Sequence, residues 1–431
     1  MRTLATINAA LHFRQTRRSF LVGLALVCAC LMPVHVPVCA ADTTNDLQLV
    51  HEVKGGKMFS TGDDVIQVLQ LQGSWREMGQ QYGAFAKDGM QQVWDAVIQP
   101  QIDKKLTTQS EAEALFGRRT FDASSHRMKE IIRGVADEVG WSTDKVSLLN
   151  QAVMMSVYQA KLHSFAGCSS ILAWGKATPH GGMITARNLD WGESFLPFPL
   201  YLTVWNPTDG SNALANLNWP GMLFAASAVN EKGVYVDLHD GTSMGGNIVY
   251  IDRASFVNAV FDMLAECDHA EAVSNRFNSQ RNDLSWIWTV ADSTPNGFSF
   301  EAPNFDNRRR NPDSDTMAIV NTYMLPDWGI HKRETLSNSL RRFDNLNARL
   351  AESHGKIDAK KAMEIFDTPL FNEDGTFKKN GGATKPKKFD ADITVHQIVT
   401  DLSKMKVWLK IPQKTDWREV DLKKLFTGKR P

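Results

Sequence analysis

The spacing of apolar residues changes near residue 167. Before it, spacing by threes and fours predicts helices over residues 75–90, 124–138 and 145–161, after a strand at 65–71. Gly79 and Gly83 fall on one face of the first helix, which predicts close approach of another backbone. Ser142 or Thr143 supplies an N-cap for the third. After residue 167, short apolar runs dominate. Those at 169–174 and 183–189 flank a turn containing His180-Gly181-Gly182 and predict a hairpin. Residues 200–205 predict another strand. The runs at 223–229 and 234–238 flank Asn230-Glu231-Lys232-Gly233, a four-residue hairpin loop. Further strands are expected at 286–291, 298–301 and 317–321, with a closing hairpin at 395–400 and 407–411. Helices are expected at 253–266, 334–350 and 359–366; Phe256, Val257, Val260, Phe261 and Leu264 make one apolar stripe on the first. Strands and helices come in blocks, which implies an α+β fold with antiparallel sheets.

Composition narrows the function classes. A chain of 431 residues with 43% hydrophobic and 22% charged residues is built to fold. Its 48 basic and 48 acidic residues argue against a dedicated nucleic-acid binder. Residues 308–310 and 385–388 are basic runs among Asn, Asp, Gly and Pro, and read as solvated loops. No Gly-rich phosphate loop is present, and His163, His180, His239 and His396 have no zinc-site spacing.

Residues 1–40 change the charge and cysteine arithmetic. They hold Arg2, Arg14, Arg17 and Arg18, no acid, a twelve-residue apolar run over 21–32, and Val38-Cys39-Ala40 before Ala41. This is the build of an export signal, and Arg17-Arg18-Ser19-Phe20-Leu21 resembles the twin-arginine type. An ordinary export signal, a lipoprotein acylated at Cys30 and an organelle transit peptide are the other readings. The expected location is periplasmic or secreted. No later run is long enough for a membrane span. Without residues 1–40 the chain carries 44 basic and 48 acidic residues, net −4, and only Cys168 and Cys267. Two cysteines in an exported chain of this length are not a disulfide scaffold. Either they pair, or at least one is kept for chemistry. Glu266 and Asp268 flank Cys267 and disfavour a thiolate there.

Cys168 follows Gly167 and opens the strand-rich region. The predicted hairpin returns Arg187 and Asp190 toward it. Arg187 is placed to stabilise a thiolate, and Asp190 to hold a cation. A cut between Gly167 and Cys168 would give Cys168 a free α-amine of pKa about 7.7–8.0, suited to general-base work. Thiol and base would then be one residue.

Gly167-Cys168-Ser169-Ser170, Gly175 and Gly182-Met183-Ile184-Thr185-Ala186-Arg187-Asn188-Leu189-Asp190-Trp191 resemble the N-terminal-nucleophile (Ntn) cysteine hydrolases. These include choloylglycine hydrolases, penicillin V acylases and acid ceramidase-like amidases. The acyl-CoA:6-aminopenicillanic acid acyltransferase branch (peptidase C45-like) is nearest. It shares a helical pro-region, an opening motif like Gly73-Ser74, Glu77-Met78-Gly79 and Gly83, and a helix pair like residues 134–150. The resemblance runs over about residues 65–411. The loop between Cys168 and Arg187 is slightly longer than in the bile-salt branch.

The resemblance implies an αββα sandwich, with residues 41–167 a mainly helical pro-region and 168–431 the catalytic region. It makes Cys168 the nucleophile and new N-terminus, Arg187 the arginine beside the thiol, and Asp190 the acid that binds the α-amine. Asn230 and Asn321 become oxyanion donors, and Arg342, or its neighbour Arg341, a later arginine of the site. It implies self-cleavage at Gly167-Cys168, then attack on a linear N-acyl amide through an acyl-enzyme, with no metal or organic cofactor. The pro-segment is expected to stay bound. Trp174 and Trp191 are placed to line an acyl pocket. Water as acceptor makes an amidohydrolase, and an amine makes an acyltransferase. A non-catalytic exported binding protein that keeps the fold is the reading from another class.

Overall fold

A computed structural model of the chain describes residues 47–62, 64–152, 167–246, 248–328, 338–386 and 392–426. The expected export signal, the later part of the helix expected over 145–161 and the start of that over 334–350 lie outside these residues.

The strands are β1 (Gln48–Val53), β2 (Gly56–Ser60), β3 (Ile66–Gly73), β4 (Cys168–Gly175), β5 (Gly181–Trp191), β6 (Leu200–Pro207), β7 (Leu214–Asn218) and β8 (Ser227–Asn230). They continue with β9 (Tyr235–Asp240), β10 (Trp286–Asp292), β11 (Asn296–Ala302), β12 (Arg308–Arg310), β13 (Thr316–Ile319), β14 (Ile393–Asp401), β15 (Lys406–Lys410) and β16 (Arg418–Asp421). The principal helices are α1 (Trp75–Val93), α2 (His126–Val139), α3 (Thr143–Asn150), α4 (Phe256–Glu266), α5 (Ala270–Asn278), α6 (Ser339–Glu352) and α7 (Ala359–Asp367). Ser142 caps α3 through the Lys145 amide.

The strands form two sheets, ordered β1-β2-β3-β6-β7-β8-β9-β10-β11-β12 and β13-β4-β5-β14-β15-β16. Neighbours are antiparallel except β3 and β6, which run parallel. Alternation of side chains along β4 and β5 explains how the sheets stack. Cys168, Leu172, Met183 and Leu189 join the core shared with the ten-stranded sheet. Ile171, Ala173, Ile184 and Ala186 point the other way and pack with Leu346 and Leu350 of α6 and Ala362 and Phe366 of α7. On the outer face of the ten-stranded sheet, Tyr82 of α1 stacks on Trp205, which meets Phe261 of α4 edge-on. The result is the expected α+β sandwich of helix, sheet, sheet and helix.

The region before Cys168 is less helical than expected. It supplies β1–β3, and β3 pairs with β6 along eight residue pairs, from Ile66↔Leu200 to Gly73↔Pro207. A chain cut at residue 167 would therefore keep this ladder. The expected glycine contact is present: a Cβ on Gly79 would lie 2.3 Å from the Ile131 carbonyl oxygen of α2. Gly134, on α2 itself, is as tight, with a Cβ 2.1 Å from the Arg76 carbonyl oxygen. Gly134→Ala is expected to destabilise the protein by about 1–3 kcal/mol, because backbone cannot yield as a side-chain tip can. Calorimetry reads this as a lower Tm; an unchanged Tm would contradict the close packing of α1 on α2.

The run at 308–310 and Lys385 depart from the solvated-loop reading, while Lys387 and Lys388 lie outside the described residues. Residues 308–310 form the edge strand β12; Arg308 lies over the Trp328 ring and Arg309 over Phe298. Lys385 is buried.

Candidate active site

In the β4–β5 ladder, Cys168 faces Leu189 and Ser170 faces Arg187. This register folds Arg187 back on the thiol, as the hairpin spacing predicted. Arg187 Nη2 lies 3.6 Å from Cys168 Sγ. The guanidinium is buried and also donates to the Ala226 carbonyl at 2.9 Å, to Ser227 Oγ and to the Leu238 carbonyl. These neutral acceptors fix its position without neutralising it. Burial pushes the Cys168 thiol pKa up, and the Arg187 charge is the largest influence pulling it down.

The peptide joining Gly167 to Cys168 is held on both sides. The Gly167 carbonyl accepts from the Asp190 backbone N–H at 2.7 Å. The Cys168 N–H donates to Asn321 Oδ1 at 2.7 Å, and Asn321 Nδ2 donates to the Asp240 carbonyl at 3.0 Å. Arg342, on the first turn of α6, donates to the Cys168 carbonyl, to Ser169 Oγ at 2.9 Å, to Asn321 Oδ1 at 3.1 Å and to Asn338 Oδ1 at 2.7 Å. Arg341 lies instead over the Phe377 ring. Of the two arginines, Arg342 is the one brought to Cys168.

Asp190 is fully buried. Its Oδ1 accepts from Thr394 Oγ1 at 2.7 Å, the residue opposite it on β14. Its Oδ2 has no hydrogen-bond partner among the described residues. That oxygen faces Gly167: a Cβ built there would lie 2.9 Å away. A buried carboxylate oxygen without a hydrogen bond is costly, and the cation beside this one is the Lys385 ammonium at 3.5 Å.

Asn230 is not brought into this cluster. It ends β8, where its Nδ2 holds the Leu264 and Cys267 carbonyls and its Oδ1 accepts from the Lys232 and Val234 amides. The residue fixes the hairpin loop against α4. Cys267 and Cys168 are both unpaired, so the two do not form a disulfide. Burial also raises the Cys267 thiol pKa.

A polar group that the sequence did not mark lies between the sheets. Ser170 Oγ donates to Asp237 Oδ2 at 3.0 Å and lies 2.9 Å from His239 Nε2. His239 Nε2 is 2.7 Å from Asp237 Oδ1, and Tyr235 OH donates to Asp237 Oδ2 at 3.1 Å. Burial lowers the His239 imidazole pKa, against the pull of Asp237. Burial works against the Asp237 carboxylate, but His239 and the Arg187 charge outweigh it and hold its pKa below the ordinary value. The group is not a serine–histidine relay. Ser170 and Asp237 meet the same ring nitrogen, whereas a relay uses both. Asp237 is a counter-charge for Arg187 inside the core. Asp237→Asn is expected to lower stability by about 1–3 kcal/mol, because a donor among Ser170, Tyr235 and His239 loses its acceptor. A melting curve equal to that of the native chain would contradict this.

A mainly apolar cavity opens beside the thiol. Cys168, Leu189, Trp191, Trp219, Met222 and Phe224 line it, with Asn150 and Gln151 from the end of α3. Trp191 lines it as expected; Trp174 is not part of its wall.

No protein-family model matches the chain. It is similar to protein dcd1B of Dictyostelium discoideum, 26% identical over 198 residues, covering 41% of this chain and 39% of that one. It is also similar to an uncharacterized protein of Archaeoglobus fulgidus, 21% identical over 353 residues, covering 70% and 57%. The chain thus spans less than two thirds of the length of these curated relatives. Among solved structures, it is similar to a conjugated bile acid hydrolase variant from Clostridium perfringens, with a TM-score of 0.40, 13% identity, and 60% of this chain and 94% of that one covered. A Caenorhabditis elegans ortholog of N-acylethanolamine-hydrolyzing acid amidase has a TM-score of 0.39 and 16% identity, covering 55% and 93%. Penicillin V acylase from Agrobacterium tumefaciens has a TM-score of 0.40 and 12% identity, covering 61% and 88%.

Proposed function

We propose that the chain cuts itself between Gly167 and Cys168, and that the freed Cys168 hydrolyses linear amides of N-acyl compounds with an apolar acyl group. The observation that carries this is the arrangement of one peptide. Its carbonyl is bound by Asp190 N–H, its nitrogen by Asn321, and the thiol that follows it by Arg187. The buried Asp190 carboxylate, ion-paired with Lys385, stands beside it.

In the first stage, Cys168 Sγ attacks the Gly167 carbonyl carbon. The Asp190 N–H already on that oxygen takes the developing negative charge; one such donor is worth roughly 2.7–4 kcal/mol in a barrier. The C–N bond breaks, the nitrogen takes a proton, and a thioester joins Gly167 to Sγ. Water then cleaves the thioester, leaving a Gly167 carboxylate and a free Cys168 amine and thiol.

In the second stage, the amine takes the thiol proton and Sγ attacks the substrate carbonyl. The same proton goes to the leaving amine, and water releases the acyl group as a carboxylate. Asp190 anchors the ammonium form of the Cys168 amine. Arg187 stabilises the thiolate, and Arg342 and Asn321 hold the Cys168 backbone. The apolar cavity beside Sγ supports a hydrocarbon acyl group over a polar one. The ladder of β3 on β6 supports retention of the first chain after the cut.

The test is a set of N-acyl amino acids, bile-salt conjugates, penicillin V and acyl-homoserine lactones, with released amine as readout and intact mass during turnover. The expected result is amine release, with an acyl-sized mass gain on the chain that begins at Cys168. Amine release with no adduct on Cys168 under quenched conditions would contradict the acyl-enzyme.

A further inference from the structure

Lys385 sits just before β14, and its side chain is 1% exposed. Its Nζ lies 3.5 Å from Asp190 Oδ2 and 3.8 Å from Asp392 Oδ2. Thr394 ties Lys385 and Asp190 together. The Lys385 N–H donates to Thr394 Oγ1 at 2.9 Å, and the same hydroxyl donates to Asp190 Oδ1 at 2.7 Å. The Thr394 N–H returns to the Lys385 carbonyl at 3.0 Å. A Cβ on Gly167 would lie 2.8 Å from Lys385 Nζ and 2.9 Å from Asp190 Oδ2. The buried ammonium and carboxylate thus close on the residue that precedes the thiol, where a Cβ would crowd both.

Resting on the self-cleavage reading, we propose that Lys385 is a positioning residue that shares Asp190 with the α-ammonium freed at Cys168 and so raises the fraction of that amine in its free-base form near neutral pH. In the uncut chain Lys385 is a cation on Asp190. After the cut, a second cation comes to the same carboxylate. An amine paired with Asp190 alone would hold its proton above the free value of about 7.7–8.0, and would be a poor base at neutral pH. A neighbouring ammonium opposes that protonation. Among the described residues, the charged and titratable groups around this point are Cys168 on β4, Arg187 and Asp190 on β5, Asp240 on β9, Arg342 on α6, Lys385 and Asp392 ahead of β14, and His396 on β14. Lys385 is the side chain among them that contacts the Asp190 carboxylate directly as a cation.

The experiment uses the full chain labelled with 15N-cysteine. The α-amine nitrogen of Cys168 is followed through a pH titration, after intact mass has established the cut. The native amine is expected to titrate at or below about 8. Lys385→Met and Lys385→Gln are expected to raise that value by about one unit or more, a roughly tenfold smaller free-base fraction at pH 7. Lys385→Arg should restore the native titration. Neutral variants that titrate like the native chain, or a native amine that titrates well above 8, would overturn the proposal. If the neutral variants do not fold, the native titration alone decides. A cut chain with an unshifted amine removes only the role of Lys385. A native chain that is never cut removes the self-cleavage reading, and this inference with it.

Discussion

Cys168→Ala is expected to yield a chain of uncut length with no amide hydrolysis. The substitution leaves the surrounding structure intact in outline. Cys168 contacts its neighbours mainly through backbone: its N–H bonds Asn321 and its carbonyl bonds Arg342, and both survive the change. What disappears is the attacking atom of both stages. Loss of an enzyme nucleophile costs on the order of 10⁶-fold in turnover, so residual activity should be below detection. Cys267→Ala is the matched control and should be cut and active, since Cys267 is the C-cap of α4 and is not part of the cavity wall. Intact mass reads the cut, and released amine reads the turnover. A Cys168→Ala chain that still ends at Gly167 would mean that another group cleaves it.

The second large effect is expected from Arg187→Met. This change removes the largest influence that opposes burial at the Cys168 thiol. The thiol pKa rises further, and each unit is a tenfold loss of thiolate at fixed pH. A fall in kcat/KM of about 10²-fold is expected, with the basic limb of the profile moved to higher pH. Stability is expected to follow the same proton. A thiol whose pKa is raised by folding binds more protons in the native than in the unfolded chain. Its contribution is complete below the unfolded value of about 8.5 and is lost as pH rises toward the folded value. Arg187→Met should steepen that alkaline decline, since the folded value moves higher. The variant also removes the Arg187 hydrogen bond to the Leu238 carbonyl, at about 1.5–3 kcal/mol for a bond to a charged group, while the Ala226 carbonyl keeps the Leu238 N–H. Melting curves between pH 7 and 10 check both terms. A variant with the native pH profile would contradict the role given to Arg187.

Much of this site was legible in the sequence because it is local. The β4–β5 hairpin has a period-two pattern and a Pro/Gly turn, so the return of Arg187 to Cys168 follows from strand spacing. Asp190 follows for the same reason. Asn321 and Arg342 arrive from distant segments, and only the family resemblance pointed to them. Asn230 shows the limit of a motif: its turn was foreseen, but its amide is fully used in holding that turn and α4. Lys385 was missed because its neighbours in sequence are polar, while its ammonium is buried by contacts from β5 and β14 that spacing does not encode. Strand β7 was missed for a related reason. Its Asn216 and Asn218 look exposed, yet both are buried and held by loop carbonyls and Trp205. The three strands before Cys168 acquire their place only by pairing β3 with β6 across the junction.

The central claim is that Gly167-Cys168 is a bond the protein breaks in itself. Intact mass with N-terminal sequencing of the purified chain tests it most directly. The account predicts two chains that copurify, one ending at Gly167 and one beginning with a free Cys168. A single chain through residue 167 that hydrolyses amides, or a second chain that begins at a residue other than Cys168, would contradict it.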